Sequence, residues 1–237
     1  MRRVLLLSVL FILIVTACAP AAATEGPSGV TESPEDNIPD METLGAAEQA
    51  AIEQLSESLG LEATDIVFIS SEQTEFSDAC LEVMVEGISC AQVITSGRII
   101  TLEANGIEYI YHVSEDGSQV QPASIALIWR REGGIAGFCD TLIVFRSGEV
   151  TTSTCKSQGD GTEGTLATLL SAQERQQFDE WMGELGETTL DESDPAGVAD
   201  RMVITLEIMG AGDDQPTQSQ QQELFTFAQE LYQALSR

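Results

Sequence analysis

Alternating apolar residues around an Asn-Gly dipeptide make the clearest local pattern in the chain. Asn105-Gly106 favours a two-residue type I′ turn between two antiparallel strands. In that register, three apolar cross-strand pairs share one face: Ala104–Ile107, Leu102–Tyr109 and Ile100–Tyr111. The opposite face pairs Glu103 with Glu108 and Ile99 with His112. The pattern predicts a β-hairpin with one core-facing side, on which His112 does not lie.

Three segments with apolar residues at helical spacing predict helices. The first covers residues 43–59, with Thr43 as its N-cap and Gly60 at its end. The other two open with capping boxes, in which paired side chains satisfy the free backbone N–H groups of the first turn. The capping pairs are Ser171 with Glu174 and Thr217 with Gln220.

Short apolar runs predict three strands in the second half, over residues 125–129, 141–145 and 202–209. Residues 130–137 are predicted to separate the first two of these strands. Residues 190–199 are predicted to be an acidic loop. Arg146-Ser147-Gly148 is predicted to be a three-residue hairpin loop, because Gly148 supplies the positive φ that such a loop needs. Strands and helices in this order predict an α+β fold of two small modules, each an antiparallel sheet packed by one or two helices.

A basic start and a short apolar run open the chain. Arg2 and Arg3 precede residues 4–15, which are almost wholly apolar but too few to span a bilayer as a helix. Val15-Thr16-Ala17-Cys18 resembles the lipobox of bacterial lipoproteins. The resemblance implies cleavage before Cys18, a diacylglycerol on its sulfur, and a membrane-anchored protein on the extracytoplasmic side of the cell envelope. The alternative is an ordinary signal peptide in which Cys18 is incidental.

Four segments follow from these patterns. We predict a lipoprotein signal peptide over residues 1–17 and a lipidated, flexible acidic linker over residues 18–41, where Pro, Gly, Ser and acidic residues leave too little apolar surface to fold. The first α+β module is predicted over residues 42–121 and the second over residues 122–237.

The charge of the chain is strongly negative and uneven. Its formal net charge is −29, and no Lys or Arg lies between Arg3 and Arg98. Nucleic acids and anionic lipid surfaces need basic patches, so neither is predicted as an electrostatic partner. Two interpretations stay open: the acidic surface binds a cationic partner or divalent ions, or it only keeps the protein soluble. We favour the second.

The cysteine count fits two disulfides once Cys18 carries a lipid. An exported protein with four further cysteines is expected to bridge them, and three pairings exist. The nearest-neighbour pairing, Cys80–Cys90 with Cys139–Cys155, fits the strand prediction, because direct pairing of residues 139 and 155 also pairs 145 with 149 around the three-residue loop. Zinc is a poor alternative, since there is no Cys-x-x-Cys.

Two resemblances concern the modules. In the first, Phe76–Leu81, Cys90–Val93 and Tyr109–His112 resemble a module of bacterial lipoproteins of unknown function, which implies no chemistry. In the second, Arg131–Gly137 together with Asp200–Ile204 is similar to emfourin, a small bacterial inhibitor of thermolysin-like metallopeptidases. The similarity implies a binding loop made of seven residues: Glu132, Gly133, Gly134, Ile135, Ala136, Gly137 and Phe138. The bridge at Cys139, the last helix and the lipid anchor depart from that family. The alternative for these glycines is a β-bulge or tight crossover that binds nothing.

No catalytic set is visible in the sequence. His112 is the only histidine, so a Ser-His-Asp set and a zinc site are not expected, and no phosphate-binding loop is present. We therefore predict no enzyme activity, no cofactor and no metal. The predicted function is a membrane-anchored binding module, with peptidase inhibition as its specific form and a secreted peptidase as partner. The alternative is a structural or sensory envelope lipoprotein that binds another envelope protein or cations.

Overall fold

The structure is a computed structural model that describes residues 43–83, 89–154 and 168–236 of the chain. These residues all lie in one compact unit and form two antiparallel sheets with three α-helices. The predicted α+β class is confirmed. The predicted signal peptide, linker and Cys18 lie outside the described residues. The module boundary predicted between residues 121 and 122 falls inside the last strand of the first sheet, Val120–Pro122. The division into two modules stays a prediction.

The first sheet has four strands in the order β1-β2-β3-β4. Their bounds are Val67–Phe76 (β1), Thr95–Ala104 (β2), Ile107–Ser114 (β3) and Val120–Pro122 (β4). The hairpin register around Asn105-Gly106 is confirmed pair by pair, from Ala104 opposite Ile107 to Ile99 opposite His112. Helix α1, Ala46–Leu59, packs on the predicted core face and buries Ile52 and Leu55 there.

The start of α1 differs from the prediction. Its N-cap is Gly45 rather than Thr43, and no side chain caps the helix. The Glu48 carboxylate in the first turn accepts a hydrogen bond from Ser71 at 2.7 Å. It also forms an ion pair with Arg98 at 3.3 Å. Contacts with the sheet therefore position this helix, and a local capping signal does not.

The other face of the first sheet is covered by the segment that follows β1. Cys80 and Cys90 form a disulfide in this segment, as predicted, and Leu81 is fully buried. His112 Nδ1 lies 2.7 Å from the Leu81 carbonyl, and its ring stacks on Phe76 with centroids 5.0 Å apart. His112 is half-buried on its strand, on the face opposite the core-facing side, as the hairpin register predicts.

The second sheet has six strands in the order β8-β7-β6-β5-β10-β9. Their bounds are Ile125–Gly133 (β5), Phe138–Phe145 (β6), Glu149–Thr154 (β7), Thr168–Leu169 (β8), Glu187–Asp191 (β9) and Met202–Met209 (β10). Helices α2, Ala172–Glu184, and α3, Gln218–Leu235, pack on one face, and both predicted capping boxes are present. Trp129, Phe178 and Trp181 are buried between this face and the helices.

Two elements of this sheet differ from the prediction. The sequence predicted an interruption over residues 130–137, but β5 continues to Gly133 and β6 begins at Phe138. The glycines thus form a turn between long strands, and cross-strand hydrogen bonds hold the polar residues before them. The loop predicted over residues 190–199 begins later, because Glu187–Asp191 pairs with β10 as an edge strand.

The β6–β7 hairpin follows the predicted register. Asp140 pairs with Thr154 and Val144 with Val150, and Gly148 has a φ of +89° in the three-residue loop. Cys139 is disulfide-bonded. Its predicted partner, Cys155, lies outside the described residues, so this pairing stays a prediction.

The two sheets meet through the face of the second sheet that carries no helix. Val83, from the disulfide-stapled segment, packs in one apolar cluster with Ile128, Ile143 and Phe145. Buried Glu149 accepts hydrogen bonds from α1, at 3.1 Å from Gln54 and at 2.8 Å from Ser58. The first sheet, its helix α1 and the segment that contains the Cys80–Cys90 disulfide thus cover the helix-free face of the second sheet.

Candidate functional site

The seven predicted binding residues form the tip of the β5–β6 hairpin. Glu132 and Gly133 end β5, Phe138 begins β6, and the four residues between them form the turn. Three glycines have left-handed φ values: +82° at Gly133, +68° at Gly134 and +59° at Gly137. Only glycine adopts such angles without a steric cost, so the glycine pattern is what closes this turn.

Ile135 stands at the end of this turn and is 92% exposed. It is the most exposed large apolar side chain in the described part of the chain, where the next is Ile94 at 72%. Single exposed apolar residues are common on protein surfaces. Ile135 is different, because it lies in a turn that the Gly137 N–H closes by donating to the Gly134 carbonyl at 2.9 Å. In this position it can enter a pocket on another molecule without rearrangement of its own backbone.

The base of the hairpin is held by a buried ion pair. Arg131 donates to Asp140 Oδ2 from Nε at 3.0 Å and from Nη2 at 2.5 Å, and Asp140 is 5% exposed. Tyr232 of α3 donates to the other carboxylate oxygen at 2.7 Å. Burial and this hydrogen bond raise the pKa of the Tyr232 hydroxyl to about 12.

The Arg131 guanidinium is also enclosed by aromatic rings. It lies 3.9 Å from the centroid of Phe138 and 5.5 Å from that of Trp129. Cation–π contacts of this kind add to the ion pair where the site is shielded from water. Phe138, one of the predicted binding residues, is half-buried against Arg131 and contacts this support of the tip.

Sequence reasoning missed this support. Arg131 and Asp140 are direct cross-strand partners in the β5–β6 register. That register follows from placing a four-residue turn at residues 134–137, so the Gly-x-x-Gly spacing was the signal that could have found the pair. Tyr232 comes from a distant helix, and no local pattern connects it to the hairpin.

Outside the tip, the described residues offer one group with the spacing of a metal site, Asp78 with Cys80 and Cys90. Both cysteines are in the disulfide, and Asp78 Oδ1 accepts the backbone N–H groups of Cys80 and Glu82. Both sulfur atoms and Asp78 Oδ1 are therefore already engaged in bonds within this turn. Within the described ranges, no helix is long and apolar enough to cross a membrane.

A comparison with known protein families gives a match. Residues 48–122 match the family model of a domain of unknown function (DUF8738). This range runs from α1 to the end of β4 and does not include the hairpin tip. Neither the curated proteins nor the solved structures give a match.

Proposed function

We propose that the chain is a lipid-anchored extracytoplasmic protein that binds another protein through the β5–β6 tip. The exposed isoleucine on a turn braced from below carries this proposal. A rigid tip loses little conformational entropy on binding, and burying one isoleucine contributes about 1.5–3 kcal/mol. The proposed role is binding rather than catalysis.

The proposed partner is a secreted peptidase of the thermolysin type. This follows from the similarity of residues 131–137 and 200–204 to emfourin. The structure places these two segments side by side, since Met202 pairs with Gly133. Anchoring through Cys18 would hold such an inhibitor at the membrane, where a secreted peptidase leaves the cell.

The test measures hydrolysis of a fluorogenic peptide by thermolysin during titration with the full chain in a non-ionic detergent. We expect inhibition at micromolar concentrations. Ile135→Ser should weaken it by roughly 10- to 150-fold, the factor that corresponds to burial of one isoleucine. Ile94→Ser is the matched control, because Ile94 is 72% exposed in the segment just before β2, away from the tip, and it should change nothing.

Undiminished protease activity at micromolar wild-type protein would refute the inhibitor role. The alternative, a structural or sensory lipoprotein that binds another envelope protein, also fits an exposed tip. Photo-crosslinking in cells from position 135, with position 94 as control, separates the two by the identity of the captured protein. A Cys18→Ala variant tests the anchor, because it should leave the membrane fraction.

A further inference from the structure

We infer that the β9–β10 loop, residues 192–201, is a second part of the same binding surface, and that the partner presents an apolar pocket bordered by basic residues. This inference rests on the proposed function of the β5–β6 tip. It adds residues that the emfourin similarity does not include, above all Val198, and it states the chemistry of the partner.

The topology puts the loop beside the tip. Strand β10 is antiparallel to β5, and its first residue, Met202, pairs with Gly133, the last residue of β5. Strand β9 leaves the sheet at the same end, because Asp191 pairs with Thr205 near the start of β10. The loop and the tip therefore emerge together from one end of the sheet.

Direct contacts join the two segments. The Gly134 N–H donates to the Arg201 carbonyl at 3.1 Å. A β-carbon on Gly133 would lie 2.4 Å from the same carbonyl oxygen, so the backbones touch at a distance only glycine permits. The tip cannot move far without moving the end of the loop.

The loop is itself fixed by hydrogen bonds. Asp194 holds both of its ends, because its N–H donates to the Met202 carbonyl at 2.8 Å and its carboxylate accepts the Met202 N–H at 2.9 Å. Ser193 Oγ accepts the Ile204 N–H at 3.0 Å, and Arg201 Nε donates to the Asp194 carbonyl at 2.6 Å. A loop held in this way is preorganised for binding.

An apolar residue is displayed on this loop as well. Val198 is 49% exposed, and its N–H donates to the Pro195 carbonyl in a tight turn at 3.3 Å. Together with Ile135 it gives this end of the sheet two exposed branched aliphatic side chains. Two such anchors on adjacent rigid loops fit a partner with a hydrophobic pocket or groove.

Exposed carboxylates lie on the same two segments as these apolar side chains. Glu132 lies on the tip strand, and Asp191, Glu192 and Asp200 lie on or beside the loop, all exposed. Hydrogen bonds from Ser193 lower the pKa of Asp191, so this group is ionised at neutral pH. Arg201 is the exposed cation among these residues, and the balance is negative. A basic border on the partner would complement this surface and speed association at low salt.

The experiment uses the full chain in detergent and thermolysin, with inhibition and association rates measured at low and high salt. Val198→Ser should weaken inhibition by about 3- to 10-fold. Val93→Ser is the matched control, because the Val93 side chain is 56% exposed in the segment before β2, and it should change nothing. The pair Glu192→Gln and Asp200→Asn should slow association by about threefold at low salt and reduce its salt dependence. The matched pair Glu72→Gln and Glu75→Gln, exposed on β1, should do neither.

The outcomes separate the two proposals. If Ile135→Ser weakens inhibition while the loop variants behave as wild type, the tip binds alone and this inference is wrong, although the proposed function stands. If wild-type protein does not inhibit, the proposed function fails and the inference fails with it. Unfolding midpoints within about 2 °C of wild type show that the variants are folded.

Discussion

Two glycines of the tip offer a matched test of how the loop and the tip are joined. Gly133 and Gly137 both have left-handed φ values, +82° and +59°. Replacing either with alanine incurs the cost of a β-carbon in that conformation, about 1–2 kcal/mol. They differ in their surroundings, because a β-carbon on Gly137 meets nothing within 4 Å and one on Gly133 meets the Arg201 carbonyl at 2.4 Å.

The extra cost of Gly133→Ala follows from that contact. Ordinary van der Waals contact begins at 3.4 Å, so the two backbones must separate by about 1 Å. The separation weakens the hydrogen bond from Gly134 to Arg201, worth about 0.5–1.5 kcal/mol, and strained packing of this kind costs about 1–3 kcal/mol. We expect Gly133→Ala to destabilise the protein by about 2–4 kcal/mol more than Gly137→Ala.

Equilibrium unfolding in urea measures this difference. Trp129 on β5 and Trp181 on α2 are both buried, so tryptophan fluorescence reports the unfolding of the second sheet and its helices. Equal unfolding free energies for the two variants, within about 0.5 kcal/mol, would refute the close contact between tip and loop. The same result would remove the structural basis for a joint binding surface.

Three further predictions concern the contacts that hold the hairpin tip and the disulfide between Cys80 and Cys90. Asp140→Ala leaves the Arg131 cation and the Tyr232 hydroxyl without their buried acceptor, and should cost about 3–5 kcal/mol in urea unfolding. Replacing Cys80 and Cys90 by alanine removes a bridge with a sequence separation of 10, and should cost about 3 kcal/mol in thermal unfolding if loop entropy dominates. Because the folded pKa of Tyr232 is raised to about 12, its contribution to stability is complete below the unfolded pKa of about 10 and is lost as pH rises towards the folded value. Burial raises the pKa of the other two tyrosines, Tyr109 and Tyr111, as well. The test is therefore the difference between the alkaline absorbance titrations of wild type and Tyr232→Phe, which should contain one ionisation step near pH 12.

Local signals predicted two of the hairpins and two of the three helix N-caps, for a physical reason. The Asn105-Gly106 turn, the Gly148 loop and both capping boxes depend on residues within about four positions of each other, and the structure contains each of them. The turn at Gly134–Gly137 was missed because its strands carry polar residues, which periodicity alone assigns to a loop. In the structure Arg131 is polar and largely buried because Asp140 neutralises it across the strands.

Local sequence patterns could not predict the contacts between residues that lie far apart in the chain. Tyr232 reaches Asp140 across 92 positions, and Glu149 accepts hydrogen bonds from α1 across 91 and 95 positions. The exposure of Ile135 was equally hidden, since an isoleucine among glycines fits a buried crossover as well as a projecting turn. Only the paired strands on either side decide between them.

The packing behind the hairpin explains why the first sheet matters to a site that it does not form. Strand β6 alternates between two cores, since Leu142 and Val144 face the helices while Ile143 and Phe145 face away. Ile143 and Phe145 are each 1% exposed, and Val83 from the stapled segment packs in their cluster. Without the first sheet, β6 would expose two large apolar side chains on the strand that leads to the tip. The region that matches the domain of unknown function therefore acts on the proposed site as its structural support, and the disulfide in that region stabilises the segment that provides the contact.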